Sequence, residues 1–224
     1  MQKLETMRAL REIGLVPVLR ANGVEQAMEL AEAIAAGGVT VLEVTMTVPG
    51  AIEVMRRLRK QRPEMLVGAG TVLDPETARM CILEGARFVV SPALNVRTIE
   101  MCQRYSIPVL PGALTPTEIV TAWQAGADVV KVFPAGAMGG AKYIRALKAP
   151  LPQVEMIPTG GVSLGTALEF LEAGAFGLGV GADLMDARAL AEGRQASITE
   201  NARRYLEIVR GHRERSAAVA APDA

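Results

Sequence analysis

Lys131 stands in DVVKVFPAGAMGG (Asp128–Gly140), where four of the first six residues are Val or Phe. The other lysines, Lys3, Lys60, Lys142 and Lys148, fall on helix-like or terminal segments, where a solvated ammonium is unremarkable. Lys131 alone interrupts an apolar, strand-like run, so its amine is either neutralised by a carboxylate or used. A lysine amine available without its proton adds to a ketone and forms a Schiff base, whose protonated imine draws electrons from an adjacent carbon–carbon bond. Glu43, in VLEVTM, is the matching anomaly, because an unpaired carboxylate in an apolar run is costly. Each of the two follows a pair of hydrophobic residues, so equivalent places on two strands would let them meet. They either form a structural ion pair, or Glu43 moves protons for a reactive Lys131. The two readings are compatible, and geometry decides.

A second group of residues points to an anion. PTGGV (Pro158–Val162) and GVGADL (Gly179–Leu184) are glycine-rich, and glycines let backbone N–H groups approach a phosphate. A Gly-Gly pair alone also makes ordinary tight turns. Gly68 and Gly70, in GAGTV, read instead as room for substrate, and Thr71 beside them can hydrogen-bond a carboxylate or simply end a strand. Arg20, closing VPVLR, offers a planar guanidinium for bidentate carboxylate recognition, or else is a surface arginine.

Composition removes several chemistries. The only histidine, His212, lies in the charged stretch RGHRER, so a histidine-based catalytic or metal site is not expected. Cys81 and Cys102 lack zinc-type spacing and read as reduced, buried thiols, consistent with a cytoplasmic setting. A formal net charge of zero with 50% hydrophobic residues argues against disorder and against general attraction to nucleic acid or an anionic membrane. No apolar run approaches the roughly 20 residues of a spanning helix, and the N-terminus lacks a secretory core.

These residues need elements to hold them. Eight strand-like runs begin at Gly14, Thr40, Leu66, Phe88, Val109, Val129, Glu155 and Gly177. Amphipathic segments such as VEQAMELAEAIAAGG and PETARMCILEGA separate them. Eight alternating units predict an α/β, single-domain (β/α)8 TIM barrel, with an open doubly wound sheet as the competitor. An extra N-terminal helix over residues 1–13 would cover the bottom of a barrel spanning 14–212. A last helix from about Ile198 to Arg210, capped by Ser197, would lead into a flexible tail over 213–224. In such a barrel, function sits at the C-terminal strand ends. The residues there are Arg20, Glu43, Thr45, Thr71, Ser91, Pro92, Lys131, Pro134, Thr159, Gly160, Gly161 and 181–183. The two glycine-rich ends then fall on strands 7 and 8, where such barrels often bind phosphate.

The ordered segments PVLR, LEVTMTVP, GAGTVL, VSPAL, PGALTPTE, KVFPAG, PTGGV and GVGADL span about Val16 to Leu184. In this the chain resembles the bacterial 2-keto-3-deoxy-6-phosphogluconate (KDPG) and 4-hydroxy-2-oxoglutarate (KHG) aldolase family of class I enzymes. The resemblance implies that Lys131 forms an imine with the substrate C2 keto group and that Glu43 is the general acid/base, acting partly through water. Cleavage between C3 and C4 would give pyruvate and glyceraldehyde 3-phosphate. It implies further that Arg20 and Thr71 lie near the pyruvyl carboxylate, that Pro92, Phe133 and Thr159 contact substrate, and that Gly160, Gly161, Gly181 and Ala182 form the phosphate end. No organic cofactor or metal is implied, the partner being a small 2-oxo acid, and a homotrimer is expected. Two departures stand out. Thr47 replaces an arginine that some members carry after the glutamate, and Ala182 replaces a frequent serine, a loss of about 0.5–1.5 kcal/mol for one hydrogen bond. Thr159 before the Gly-Gly pair favours the gluconate over the galactonate epimer. Competing readings are a barrel isomerase or synthase using acid–base chemistry alone, and a non-catalytic scaffold.

Overall fold

The computed structural model describes residues 2–220. Strands and helices alternate: α1 (Gln2–Ile13), β1 (Leu15–Leu19), α2 (Val24–Ala36), β2 (Val41–Thr45), α3 (Ala51–Gln61), β3 (Leu66–Gly70) and α4 (Pro75–Leu83). Next come β4 (Val89–Val90), α5 (Val96–Arg104), β5 (Val109–Leu110), β6 (Gly112–Ala113), α6 (Pro116–Gln124), β7 (Val130–Val132) and α7 (Ala141–Lys148). The chain ends with β8 (Met156–Pro158), α8 (Ala167–Glu172), β9 (Leu178–Val180), α9 (Ala187–Ala191) and α10 (Gln195–Ala220). All eight expected strand regions are present, but the fifth is split into β5 and β6. Pro111, lying between them, has no N–H to give to a ladder.

Every strand pairing is parallel. One sheet has the order β5-β4-β3-β2-β1-β9, and a smaller one has β6-β7-β8. The two approach at an isolated bridge between Thr159 and Gly179, and the chain crosses from one to the other through Pro111. The architecture is therefore a parallel α/β fold, consistent with the TIM-barrel class.

Successive strand residues face opposite ways. Val16, Val41, Phe88, Val90, Leu110, Val129 and Ile157 form one apolar cluster, closed by Leu10 from α1 and by Phe176. Leu10 is almost fully buried, which is worth about 1.5–3 kcal/mol and explains why a helix precedes the first strand. A far larger cluster lies between the strands and the surrounding helices. Two residues beyond Val16, Val41, Val129 and Ile157, on the same side of each strand, stand Val18, Glu43, Lys131 and Thr159.

The C-terminal expectation needs correcting. Helix α10 continues ten residues past Arg210, so 213–220 are helical rather than a flexible tail, and 221–224 lie outside the described residues. Arg213 donates to the carbonyls of Arg11 and Glu12 at the end of α1, where a cation suits the helix dipole. Ser197 is inside α10, not its N-cap, and its hydroxyl donates to the carbonyl of Arg194. Cys81 and Cys102 are both free and buried.

Candidate active site

Lys131 is the central residue of β7, pairing with Gly112 on one side and Ile157 on the other. Glu43 is the central residue of β2, between Val18 and Gly68. Although far apart in the chain, they meet: Lys131 Nζ lies 3.6 Å from Glu43 Oε1. Lys131 is 5% exposed and Glu43 is 2% exposed. Glu43 Oε1 is buried without a hydrogen-bond partner. A buried ion pair repays its desolvation only when geometry is close and the remaining lone pairs are satisfied. Here the separation exceeds a normal hydrogen bond and an oxygen is left over, so the pair is a poor structural bridge. An amine and a carboxylate oxygen without a hydrogen-bond partner thus face each other in a buried position.

Two glycines make that arrangement sterically possible. A Cβ at Gly70 would overlap the Glu43 carboxylate, and a Cβ at Gly68 would run into the Phe88 ring. Gly70 thus leaves room for the Glu43 carboxylate and Gly68 for the Phe88 ring, rather than for substrate as the sequence suggested. Phe133, two residues beyond Lys131, places its ring centroid 5.7 Å from the amine.

Lys131 and Glu43 do not themselves line the neighbouring cavity of about 400 Å3, which Val18, the strand partner of Glu43, shares with Arg20, Phe133, Thr159, Gly160, Gly161 and Ser163, and across it with Gly181, Ala182 and Asp183. A second hollow of about 480 Å3 shares Val18, Arg20 and Ala182 with it. Gly160 and Gly161 both have positive φ, 83° and 78°, a region L side chains rarely adopt. A Cβ on Gly161 would also come within 2.7 Å of the Gly136 Cα, so these backbones touch. The loop after β7 is tied to the one after β8 by Ala135 N–H to Thr159 O (2.9 Å) and Gly136 N–H to Gly160 O (2.8 Å). Among the described residues, the N–H groups of Gly161, Val162 and Ala182 donate to no protein acceptor, whereas that of Gly160 faces Gly179 in the bridge between the sheets. Such a set of free N–H groups around one cavity is what an anion requires.

Seven residues expected from the sequence thus line one cavity: Arg20, Phe133, Thr159, Gly160, Gly161, Gly181 and Ala182. Arg20 is exposed, has no ion-pair partner among the described residues, and a Cβ on Gly181 would lie 3.7 Å from its Nη1. Thr159 is buried, and its hydroxyl packs where only a glycine at 179 fits. Thr71 and Pro92 do not line this cavity. Thr71 follows β3 with φ 55°, an outlier for a β-branched residue of the kind that collects at functional sites. The Pro92 carbonyl abuts Gly112, the residue paired with Lys131. Sequence reasoning gave no role to Val18, Val162, Ser163 or Asp183, which also line the cavity. Ser163 directly follows TGGV, which was the available signal, and Asp183 was legible only as a strand-end residue.

The family model for KDPG and KHG aldolases matches residues 6–201. The chain belongs to this family. It is 38% identical over 167 residues to the 2-dehydro-3-deoxy-phosphogluconate aldolase of Haemophilus influenzae, covering 75% of this chain and 79% of the relative. It is 35% identical over 201 residues to the enzyme of the same name from Treponema pallidum, covering 90% and 96%. Among solved structures it resembles the KDPG aldolase of Legionella pneumophila captured with pyruvate as a covalent carbinolamine, with TM-score 0.79 and 31% identity over 88% of this chain and 96% of that one. As a member of the aldolase family the protein is a carbon–carbon lyase. Among the described residues no group of His, Cys, Asp or Glu could hold a metal ion, and no helix is long and apolar enough to cross a membrane.

Proposed function

We propose that this chain is a class I aldolase that reversibly cleaves 2-keto-3-deoxy-6-phosphogluconate to pyruvate and glyceraldehyde 3-phosphate, and that also takes 4-hydroxy-2-oxoglutarate. The observation that carries the reading is the buried Lys131–Glu43 pair, with a carboxylate oxygen that has no hydrogen-bond partner, whose strand neighbours Val18, Phe133 and Thr159 line a cavity edged by unpaired backbone N–H groups. The Lys131 amine adds to the C2 carbonyl, and the resulting carbinolamine loses water to give a protonated imine. Glu43 takes the proton of the C4 hydroxyl as the C3–C4 bond breaks. The electron pair of that bond moves into the imine, the aldehyde leaves, and the enamine is protonated at C3 and hydrolysed to pyruvate.

Arg20 and Thr71 hold the pyruvyl carboxylate in this proposal, Pro92 and Phe133 border the substrate, and Gly160, Gly161, Gly181 and Ala182 receive the phosphate through their backbone. Thr159 selects the gluconate epimer, with the galactonate epimer as the alternative. The strands close into a (β/α)8 barrel through the Thr159–Gly179 bridge and the β5–β6 segment, and the enzyme works in the cytoplasm as a homotrimer. Exposed Leu73, Met80, Leu83, Tyr105 and Trp123, on and around α4 to α6, support an interface there.

The test is borohydride reduction in the presence of pyruvate, followed by peptide mass mapping. The expected product is a single adduct on Lys131, absent in Lys131→Ala together with turnover. An adduct on another lysine, or none, rejects the mechanism.

A further inference from the structure

The turn after β9 forms one wall of the cavity, and its backbone is held from one side only. Leu184 N–H and Met185 N–H both donate to Gly181 O, at 3.0 and 2.8 Å, and Leu184 and Met185 are buried. Ala182 and Asp183, at the crown, are exposed. Ala182 brings no hydroxyl, so at this point the wall offers a ligand only its backbone N–H, and the placement of that backbone decides what it can bind.

One side chain reaches the crown from behind. Tyr205 of α10 is fully buried, and its hydroxyl donates to Asp183 Oδ2 at 2.5 Å. This is the only hydrogen bond of the Asp183 carboxylate among the described residues. The dependence is asymmetric. An exposed carboxylate is well served by water, whereas a buried phenol left unpaired carries its full desolvation penalty. The core therefore fixes the phenol, and the phenol fixes the turn. Burial and the Asp183 carboxylate push the Tyr205 phenol well above its ordinary range, so it stays a donor throughout neutral pH.

We propose that Tyr205 is a positioning residue for substrate recognition: through Asp183 it latches the 181–183 turn so that the turn's backbone meets the distal, phosphate-bearing end of the substrate. The inference rests on the aldolase reading above and adds to it a link from the last helix to the cavity wall. It applies to the distal half of the cavity alone, because Lys131 and Glu43 stand on β7 and β2.

Two reactions separate the halves. Cleavage of 2-keto-3-deoxy-6-phosphogluconate uses both, whereas exchange of pyruvate methyl protons with deuterium, followed by NMR, uses only the pyruvyl half. In Tyr205→Phe, KM for the phosphorylated substrate should rise about fivefold, with kcat and the pyruvate exchange rate within twofold of wild type. Asp183→Asn and Asp183→Ala supply a second comparison, since both remove the charge but only Asn keeps an oxygen for the phenol. KM should be about fivefold lower in Asp183→Asn than in Asp183→Ala. Equal loss in cleavage and exchange, or equal KM in the two Asp183 variants, overturns the latch. A wild-type protein that neither cleaves the substrate nor exchanges pyruvate protons instead overturns the aldolase reading beneath it.

Discussion

Gly70→Ala tests the catalytic geometry without touching either reacting group. The backbone at Gly70 does not have positive φ, so alanine brings no backbone strain and its effect comes from the added methyl. That methyl would overlap the Glu43 carboxylate oxygen and lie 2.5 Å from Glu43 Cγ and 2.6 Å from Cδ. Ordinary van der Waals contact begins near 3.4 Å, so the side chain must move by about 1 Å, and its carboxylate oxygen by somewhat more. It has little room to do so, because Glu43 is walled in on β2 between β1 and β3. A misplacement of about 1 Å can cost up to ~100-fold in rate, equivalent to about 2.7 kcal/mol of barrier. Overpacking adds about 1–3 kcal/mol of destabilisation, so a melting curve accompanies the kinetics. The expected result is a folded protein with kcat/KM down about 30- to 100-fold. Lys131 should still be trapped by pyruvate and borohydride, because the amine is intact. A folded Gly70→Ala protein within threefold of wild type refutes the assignment of proton transfer to Glu43 in this position.

Two further outcomes concern the scaffold. The Asp74 side chain caps α4 by accepting from Thr77 N–H at 2.6 Å, and that backbone hydrogen bond holds its carboxyl below the ordinary range. Asp74→Ala should therefore lower urea stability by about 1 kcal/mol at pH 7. Because the folded pKa is depressed, the difference should shrink as pH falls through the carboxylate range, and a pH-independent difference would refute capping as the cause. In light scattering the protein should have the mass of three chains, and charged substitutions at Leu83 and Trp123 should dissociate it. A monomer at micromolar concentration would reject the interface.

The buried pair of Lys131 and Glu43 was legible because burial makes polar residues conspicuous. A lysine within VVKVF and a glutamate within VLEV violate the apolar pattern around them, and chemistry or pairing are the two ways to offset that cost. The glycine-rich ends were legible because backbone approach requires glycine. Ser163 and Asp183 gave weaker signals, since a serine and an aspartate in turns satisfy ordinary turn chemistry. The last helix was misjudged for a related reason. RGHRERSAAVA has little amphipathic pattern, and it is drawn into α10 by Arg213 docking on the end of α1, a contact between opposite ends of the chain.

The amino-acid sequence by itself determined the alternation of strands and helices, the two anomalous charges and the flexible backbone at the strand ends, because each depends on local pattern and residue chemistry. Only the tertiary structure decided that Lys131 and Glu43 stand 3.6 Å apart, that Gly70 makes space for the carboxylate, and that Tyr205 reaches the cavity wall through Asp183. Those distances come from parallel strands brought side by side by helical crossovers. Residues far apart in the chain become neighbours through strand register, which no local stretch of sequence encodes.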